Sequence, residues 1–96
     1  MSIKIENQVA LITGANRGIG KAIVESFISH GVQKVYLAVR DIASTKELVE
    51  KYGDKVVPIQ VDVADAQSIK QLAKSATDVT ILVNNAGVLQ IAAPLD

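Results

Sequence analysis

Four short apolar runs alternate with helical patterns along this chain, and this alternation constrains the fold more than any other feature of the sequence. Each run has about the length of a β-strand and is rich in β-branched residues; the four are Gln8–Thr13, Lys34–Val39, Val56–Val61 and Val79–Val83. The first, second and fourth are almost continuously hydrophobic, which is typical of parallel strands covered on both faces. The third contains Pro58, which cannot donate a hydrogen bond to a neighbouring strand, so we expect it at a sheet edge.

The segments between the runs have the spacing of amphipathic helices. We predict helices over Ile19–His30, Ser44–Tyr52 and Ala64–Ala76. The side chains expected to face the sheet are Ile19, Ile23, Phe27 and Ile28 in the first helix and Ile69, Leu72 and Ala73 in the third. The expected start signals are Ser44 or Thr45 as N-cap of the second helix and Asp65 near the start of the third. The order β-α-β-α-β-α-β predicts an α/β fold with a parallel sheet and right-handed crossovers.

The composition fits one domain over residues 1–96 and excludes several classes of function. Ten basic residues balance ten acidic ones, so the net charge of zero gives no support for a nucleic-acid or anionic-membrane surface. The chain has no cysteine, which excludes disulfides, thiolate nucleophiles and cysteine-based metal sites. No apolar run approaches the ~20 residues of a membrane span, and the N-terminus lacks the layout of a signal peptide. We therefore expect a soluble cytoplasmic protein without a metal site.

A glycine-rich loop follows the first predicted strand and precedes the first predicted helix. It reads Thr13-Gly14-Ala15-Asn16-Arg17-Gly18-Ile19-Gly20. Glycine at these positions permits a tight turn, a close approach of backbone to a ligand, and close packing of helix on strand. The free N–H groups at the helix start would then form a phosphate site. Since glycine spacing alone is weak evidence, the position between strand and helix carries the interpretation.

The same loop does not fit the P-loop of nucleotide triphosphatases. Five residues separate Gly14 from Gly20 where that motif has four, and Lys21 is followed by Ala22 where it has Ser or Thr. The spacing therefore differs from that of a P-loop, and the hydroxyl that would bind magnesium is absent.

Three motifs together resemble the N-terminal part of the short-chain dehydrogenase/reductase family. The family's TGxxxGxG motif is matched by Thr13, Gly14, Gly18 and Gly20, and its Asp-Val pair after the third strand by Asp62-Val63. Its NNAG motif after the fourth strand is matched by residues 84–87. The motifs occur in the family's order and the resemblance covers the whole chain. It implies a Rossmann-type doubly wound parallel sheet, truncated to about four strands in the order 3-2-1-4, with two helices on one face and the third on the other.

The resemblance also implies a set of cofactor-binding residues. The pyrophosphate of a nicotinamide dinucleotide would lie along the glycine loop, at the backbone of Asn16, Arg17, Gly18 and Ile19, and Gly14 and Gly20 belong to the same cofactor-binding set. The Asp62 carboxylate would accept a hydrogen bond from the adenine amino group, beside the Val63 backbone. The adenosine ribose side would be contacted by Asn84 and Ala86, and Gly87 would let the chain pass close. Alternatives from the residues alone stay open: Asp62 as a helix N-terminal carboxylate, and Asn84-Asn85 as loop-capping residues.

Arg40 favours NADP(H) over NAD(H) as the cofactor. A Rossmann site that prefers NAD usually ends its second strand with an acidic residue that binds the ribose hydroxyls. Here Arg40 lies 20 residues after Gly20, near the expected offset, and its guanidinium suits the 2′-phosphate of NADP. Arg17 is expected to contact the same phosphate from the other side. Asp41, one position later, would weaken the preference, and for either Arg alone a solvated surface role remains the alternative.

No catalytic residue is predicted in this chain. In the family a Tyr with a Lys four residues later supports hydride transfer, together with a Ser and an Asn. Tyr36 is followed at that spacing by Arg40, and Lys55 is one residue too close to Tyr52. We interpret Tyr52 as a helix-end packing residue, Lys55 as solvated, and His30 as a helix C-terminal residue favoured by the dipole.

The sequence therefore predicts the NADP(H)-binding half of a short-chain oxidoreductase that acts on a small carbonyl or alcohol, with the catalytic half absent. We expect the 96-residue chain alone to be inactive. The alternative is a non-catalytic nucleotide-binding or assembly module. Because the fourth strand would lack a neighbour on its outer side, we expect the chain to self-associate, as a homo-oligomer or with a complementing partner.

Overall fold

Four parallel strands form the sheet of this α/β chain. The structure is a computed structural model that describes residues 4–16, 18–62 and 64–85. The strands are β1 (Val9–Thr13), β2 (Lys34–Val39), β3 (Val56–Gln60) and β4 (Ile81–Val83). They lie in the order β3-β2-β1-β4, which confirms the predicted order 3-2-1-4 and the edge position of the strand with Pro58.

Helices connect consecutive strands, as the alternating pattern predicts. They are α1 (Gly18–Ser29), α2 (Lys46–Tyr52) and α3 (Ala66–Ser75), and short 3₁₀ turns flank α2 at Ile42–Thr45 and Gly53–Lys55. All three sheet pairings are parallel, for example Leu11 with Tyr36 and Ile12 with Val83. The carboxyl ends of β1, β2 and β4 therefore meet at one end of the sheet, where the loops that follow them can share a ligand.

The two faces of the sheet have separate hydrophobic cores. On one face Ile12 and Leu37, both fully buried, pack with Val24 of α1 and Leu48 of α2. On the other face the core around Leu11 and Tyr36 is covered by Leu72 and Ala76 at α3. Two helices thus cover one face and one covers the other, which confirms the predicted distribution. β2 is nearly continuously hydrophobic because both faces of the strand are buried along almost its whole length.

Two residues predicted to face the sheet do not do so. Ile19 is 73% exposed, because the first turn of α1 lies beyond the carboxyl end of β1 and has no sheet beneath it. Val24 is the large residue that α1 buries completely. Ala73 is also exposed, and α3 packs through Leu72 with Ile69 partly buried.

The start of the second helix also differs from the prediction. The chain first forms the 3₁₀ turn, whose N-cap is Asp41: its carboxylate accepts a hydrogen bond from the Ala43 N–H at 3.0 Å. Thr45 occupies the N-cap position of α2 but makes no side-chain cap bond. Its buried hydroxyl donates instead to the Ile42 carbonyl at 2.7 Å. Asp65 does cap α3, accepting from the Gln67 N–H at 2.9 Å.

An ion pair at the amino end of β2 gives the fold a pH dependence. The Lys34 ammonium lies 2.7 Å from Asp78 and 4.7 Å from the centre of the Tyr36 ring, and the Tyr36 hydroxyl donates to Asp78 at 2.8 Å. The hydrogen bonds from Lys34 and Tyr36 lower the pKa of Asp78 below its usual value. The folded state thus favours the ionised carboxylate, and its contribution to stability is complete above the unfolded-state pKa and lost as pH falls through the lowered one.

We expect Asp78→Asn to lower the urea midpoint of unfolding at pH 7. Its effect should begin to diminish below about pH 4, where the unfolded chain binds the proton, and become small once the pH has fallen below the lowered pKa of the folded-state carboxylate. Unfolding followed by circular dichroism between pH 2.5 and 7 measures this difference. Asp54→Asn removes an exposed carboxylate from the 3₁₀ turn before β3 and serves as the control. A difference between wild type and Asp78→Asn that stays constant over this pH range would contradict the assignment.

Candidate functional site

The glycine loop after β1 turns sharply into α1. Gly14 and Gly18 have φ angles of 62° and 57°, a left-handed conformation that glycine adopts without steric cost. The Gly14 N–H donates to the Ala38 carbonyl at 3.0 Å, which ties the loop to the carboxyl end of β2. The start of α1 is thereby fixed beside the ends of the two central strands, where helix N–H groups favour an anion.

Gly20 is required for packing and not for its backbone angle. A Cβ atom at this position would collide with the carbonyl group of Gly14 and lie 2.6 Å from the side-chain nitrogen of Asn85. The first turn of α1 therefore sits directly against the loop after β1 and the loop after β4. This is the close helix–strand approach that the third glycine of a dinucleotide-binding loop permits.

The hydroxyl of Thr13 joins the loops after β1 and β4. Thr13 is buried, and its oxygen accepts a hydrogen bond from the Asn85 N–H at 2.8 Å. It also lies within donating distance of the Val83 carbonyl (3.5 Å) and of the Asn84 side-chain oxygen (3.3 Å). The Asn85 side-chain amide donates to the Gly14 carbonyl at 3.3 Å. The two motifs thus form one hydrogen-bonded unit.

Sequence reasoning missed how Thr13 and Asn85 act together. The sequence predicts Thr13 as the strand residue that opens the glycine motif, and Asn85 as part of the NNAG motif or as a loop-capping residue, without a contact between the two. The sequence did contain a signal. Thr13 carries a hydroxyl at the end of the first predicted strand, and the predicted order places this strand beside the fourth, which Asn84-Asn85 follow. A buried hydroxyl at that place needs a partner, and the neighbouring strand end supplies it.

A groove of about 690 Å³ opens between the glycine loop and the end of β2; we call it the loop groove. It is lined by Gly14, Asn16, Ile19, Ala38, Val39, Arg40, Asp41, Ser44, Val61 and Asn85. Its walls combine exposed backbone, the apolar Ile19 side chain and the charged Arg40. Ile19 is exposed because it forms part of this wall.

A second groove of about 460 Å³ lies on the other side of Arg40, between β3 and α3; we call it the edge groove. Its lining is almost entirely polar: Arg40, Gln60, Val61, Asp62, Asp65, Gln67, Ser68 and Gln71. Asp62 is exposed, and one of its carboxylate oxygens accepts from the Ala64 N–H at 3.0 Å, so it caps the turn before α3. The N-cap of α3 is Asp65 and not Asp62, and the adenine contact of Asp62 stays a prediction.

The structure brings together most of the predicted site residues that it describes. Four of them, Gly14, Asn16, Ile19 and Arg40, line the loop groove, and Arg40 shares the edge groove with Asp62. Gly18 and Gly20 begin the adjacent helix, and Asn84 contacts Thr13. The remaining four, Arg17, Val63, Ala86 and Gly87, lie outside the described residues.

The tyrosines, the histidine and Lys55 lie away from both grooves. Tyr52 packs against the core at the end of α2 and donates to Glu25 at 2.9 Å, as expected for a helix-end packing residue. Lys55 is exposed but not merely solvated: its ammonium donates to the Val32 carbonyl at 3.0 Å. The His30 ring lies 2.7 Å from the Ser26 carbonyl at the end of α1. These contacts give each residue a structural role.

Neither a metal cluster nor a membrane-spanning helix occurs in the described part of the chain. Residues 4–16, 18–62 and 64–85 contain no group of three or more potential metal-binding side chains. In the same ranges no helix has the length and hydrophobicity needed to cross a bilayer.

Comparisons of sequence agree with this geometry. The sequence model of the short chain dehydrogenases matches residues 8–96. A similar curated protein is the "NADP-dependent 3-hydroxy acid dehydrogenase" of Schizosaccharomyces pombe, which is 36% identical over 93 residues. That alignment covers 88% of this chain and 36% of the yeast protein. The chain thus spans about a third of the length of this relative.

Solved structures show the same similarity in three dimensions. A short chain dehydrogenase from Burkholderia cenocepacia in complex with NADP matches 86% of this chain and 33% of that protein, with 35% identity and a TM-score of 0.78. A short chain dehydrogenase/reductase from Burkholderia phymatum in complex with NAD matches 84% and 31%, with 31% identity and a TM-score of 0.72. Sequence, fold and loop geometry agree, and the chain belongs to the short-chain dehydrogenase family.

Proposed function

We propose that this chain is the NADP(H)-binding part of a short-chain oxidoreductase, which transfers hydride between the nicotinamide and a small carbonyl or alcohol. The observation that carries the proposal is that Arg40 and the glycine loop line the same groove. A volume of about 690 Å³ is within the range of cofactor sites. The site lies at the carboxyl ends of the parallel strands, where open α/β sheets bind ligands.

The glycine loop is suited to the pyrophosphate of the cofactor. It is held by the Gly14–Ala38 bond on one side and by Asn85 on the other, so its backbone is fixed before a ligand arrives. A fixed loop at a helix N-terminus can donate N–H groups to phosphate with little ordering cost. Ile19 would supply an apolar surface in the same groove.

Arg40 supports a preference for NADP(H). Its side chain is exposed at the rim shared by the two grooves. Within the described ranges no carboxylate forms an ion pair with it; the three ion pairs found there involve lysines. A guanidinium without a carboxylate partner is available for the 2′-phosphate, which it binds with charge-assisted hydrogen bonds. Because similar proteins have been solved with NADP and with NAD, family membership alone does not decide the cofactor.

The test is a calorimetric titration of the chain with NADPH and, separately, with NADH. We expect tighter binding of NADPH. Arg40→Ala should weaken NADPH binding at least ten-fold, because a hydrogen bond between charged groups contributes about 1.5–3 kcal/mol, and should leave NADH binding almost unchanged. Lys74→Ala, which removes an exposed charge from the last turn of α3, is the control. Equal affinities of the wild type for both cofactors would contradict the proposal.

The oxidoreductase activity and the substrate class are inferred from the family. The 96 residues contain no tyrosine followed by a lysine at the fourth position, so we propose that this chain binds the cofactor and does not by itself catalyse hydride transfer. An assay of NADPH oxidation with small aldehydes and ketones checks this. A reading frame that continues to a serine and a YxxxK motif would favour the oxidoreductase over a non-catalytic nucleotide-binding module.

Self-association and a cytoplasmic location stay predictions. The three residues of β4 are only partly buried, and the strand pairs with β1 alone among the described strands. An apolar strand with one neighbour favours association with another copy or another chain. Sedimentation velocity over a range of concentrations tests this, and a monomer at all concentrations would contradict it.

A further inference from the structure

The backbone at the end of β2 is held from two sides, directly around Arg40. On one side the Gln60 side-chain amide, from the end of β3, donates to the Arg40 carbonyl at 3.3 Å. On the other side Asp41 closes the 3₁₀ turn: its carboxylate accepts from the Ala43 N–H at 3.0 Å, and its carbonyl accepts from the N–H and the hydroxyl of Ser44. The backbone of Arg40, which lines both grooves together with Val61, is therefore anchored on both sides.

One carboxylate oxygen of Asp41 is bound within this turn, and the exposed residue also borders the loop groove. An acidic residue at the end of the second strand usually accepts hydrogen bonds from the adenosine ribose, and its charge opposes a 2′-phosphate. Asp41 stands one position later and instead binds a backbone N–H of its own turn. From the sequence we expect Asp41 to weaken the preference for NADP; the structure shows that one of its carboxylate oxygens is occupied by the Ala43 N–H.

We propose that Asp41 is a positioning residue that favours NADPH by holding Arg40 at the loop groove, and that it is not an acceptor for the ribose. This inference rests on the proposed NADP(H) site at Arg40. Arg40 borders both grooves, so its guanidinium has two regions to occupy, and only one of them faces the glycine loop. The capped turn and the Gln60 bond restrict the Arg40 backbone, which raises the fraction of molecules whose guanidinium is ready for the phosphate.

Two substitutions of Asp41 separate positioning from charge. Asn caps helices about as well as Asp, whereas Ala does not. Asp41→Asn therefore keeps the acceptor and removes the charge, and Asp41→Ala removes both. We expect Asp41→Ala to raise the dissociation constant for NADPH about five-fold, the factor that corresponds to a typical N-cap, with the constant for NADH unchanged. Asp41→Asn should leave the ratio of the two constants within about two-fold of the wild type.

The experiment is a calorimetric titration of wild type, Asp41→Ala, Asp41→Asn, Gln60→Ala and Arg40→Ala with NADPH and NADH. Gln60→Ala should shift the ratio in the same direction as Asp41→Ala. Asp54→Ala, which removes an exposed carboxylate at the amino end of β3, should leave the ratio unchanged. The ratio of the dissociation constants for NADPH and NADH is the decisive readout, because a merely structural role would weaken the binding of both cofactors equally.

Several results would overturn the inference. Tighter NADPH binding by both Asp41→Ala and Asp41→Asn would mean that the carboxylate repels the phosphate. If Asp41→Ala weakens the binding of NADPH and NADH equally, or changes neither, Asp41 has no positioning role. In these cases Arg40→Ala still abolishes the preference and the proposed function stands. A wild type that does not prefer NADPH, or an Arg40→Ala variant that keeps the preference, would overturn both.

Discussion

Replacing Gly20 by alanine is expected to abolish NADPH binding and to lower the free energy of unfolding by about 3 kcal/mol or more, at the upper end of the range for overpacking. The added Cβ would collide with the Gly14 carbonyl group and lie 2.6 Å from the Asn85 side chain. The Gly14 group is backbone and cannot rotate away. The first turn of α1 must therefore move relative to the glycine loop, and the Asn85 amide must also give way, so we expect the loop groove to be distorted.

Urea unfolding and a titration with NADPH measure the two effects of Gly20→Ala. Gly53→Ala is a matched control, since Gly53 has a φ of 58° but no atom within 4 Å of the added Cβ. It should cost only the backbone strain of an alanine at φ 58° and ψ −127°, about 1–3 kcal/mol, and should leave NADPH binding intact. If Gly20→Ala unfolds at the wild-type urea midpoint and binds NADPH normally, the packing described for the first turn of α1 is wrong.

Leu37→Ala should lower the free energy of unfolding by about 2–5 kcal/mol, the range for a buried leucine replaced by alanine. Leu37 is fully buried in the middle of the sheet, within the core that α1 and α2 cover. A domain of this size has a total stability of about 5–15 kcal/mol, so this one substitution removes a large part of it. The cost is large because a central strand, paired on both sides, cannot collapse into the cavity.

Urea unfolding monitored by circular dichroism measures this effect, with the slope against urea unchanged if both states keep their compactness. Ile42→Ala is the matched control, because Ile42 is 45% exposed in the 3₁₀ turn and should cost well under 1 kcal/mol. Similar urea midpoints for the two variants would show that Leu37 is not a core residue.

The order and type of the elements could be predicted because each has a strong local cause. The runs around Leu11 and Leu37 are hydrophobic on both faces, which only a doubly covered parallel sheet explains. Pro58 identified the edge strand, since a central strand would need its missing N–H. The glycine loop was recognisable because its three glycines fall between a strand and a helix, where a dinucleotide-binding site needs them.

The details that could not be predicted depend on contacts between distant residues. Helical periodicity correctly aligns Ile19 with the other apolar residues of α1. It could not indicate that the first turn extends past the sheet and leaves Ile19 exposed. The sequence makes Thr45 a plausible N-cap. In the structure Asp41, four positions earlier, caps a 3₁₀ turn, and the Thr45 hydroxyl donates to a carbonyl of that turn instead. The roles of Thr13 and Asn85 depend on a contact over 72 positions, which no local pattern contains.

That long-range contact also determines when the site can form during protein synthesis. The ribosome releases the glycine loop early, but the strand and asparagine that fix it emerge about seventy residues later. Contacts so far apart in sequence require the closure of a long loop and form slowly. A nascent chain that has not yet reached Asn85 therefore carries a complete TGxxxGxG motif but lacks the partners that shape it. We expect cofactor recognition to begin only after the fourth strand has left the exit tunnel and paired with the first.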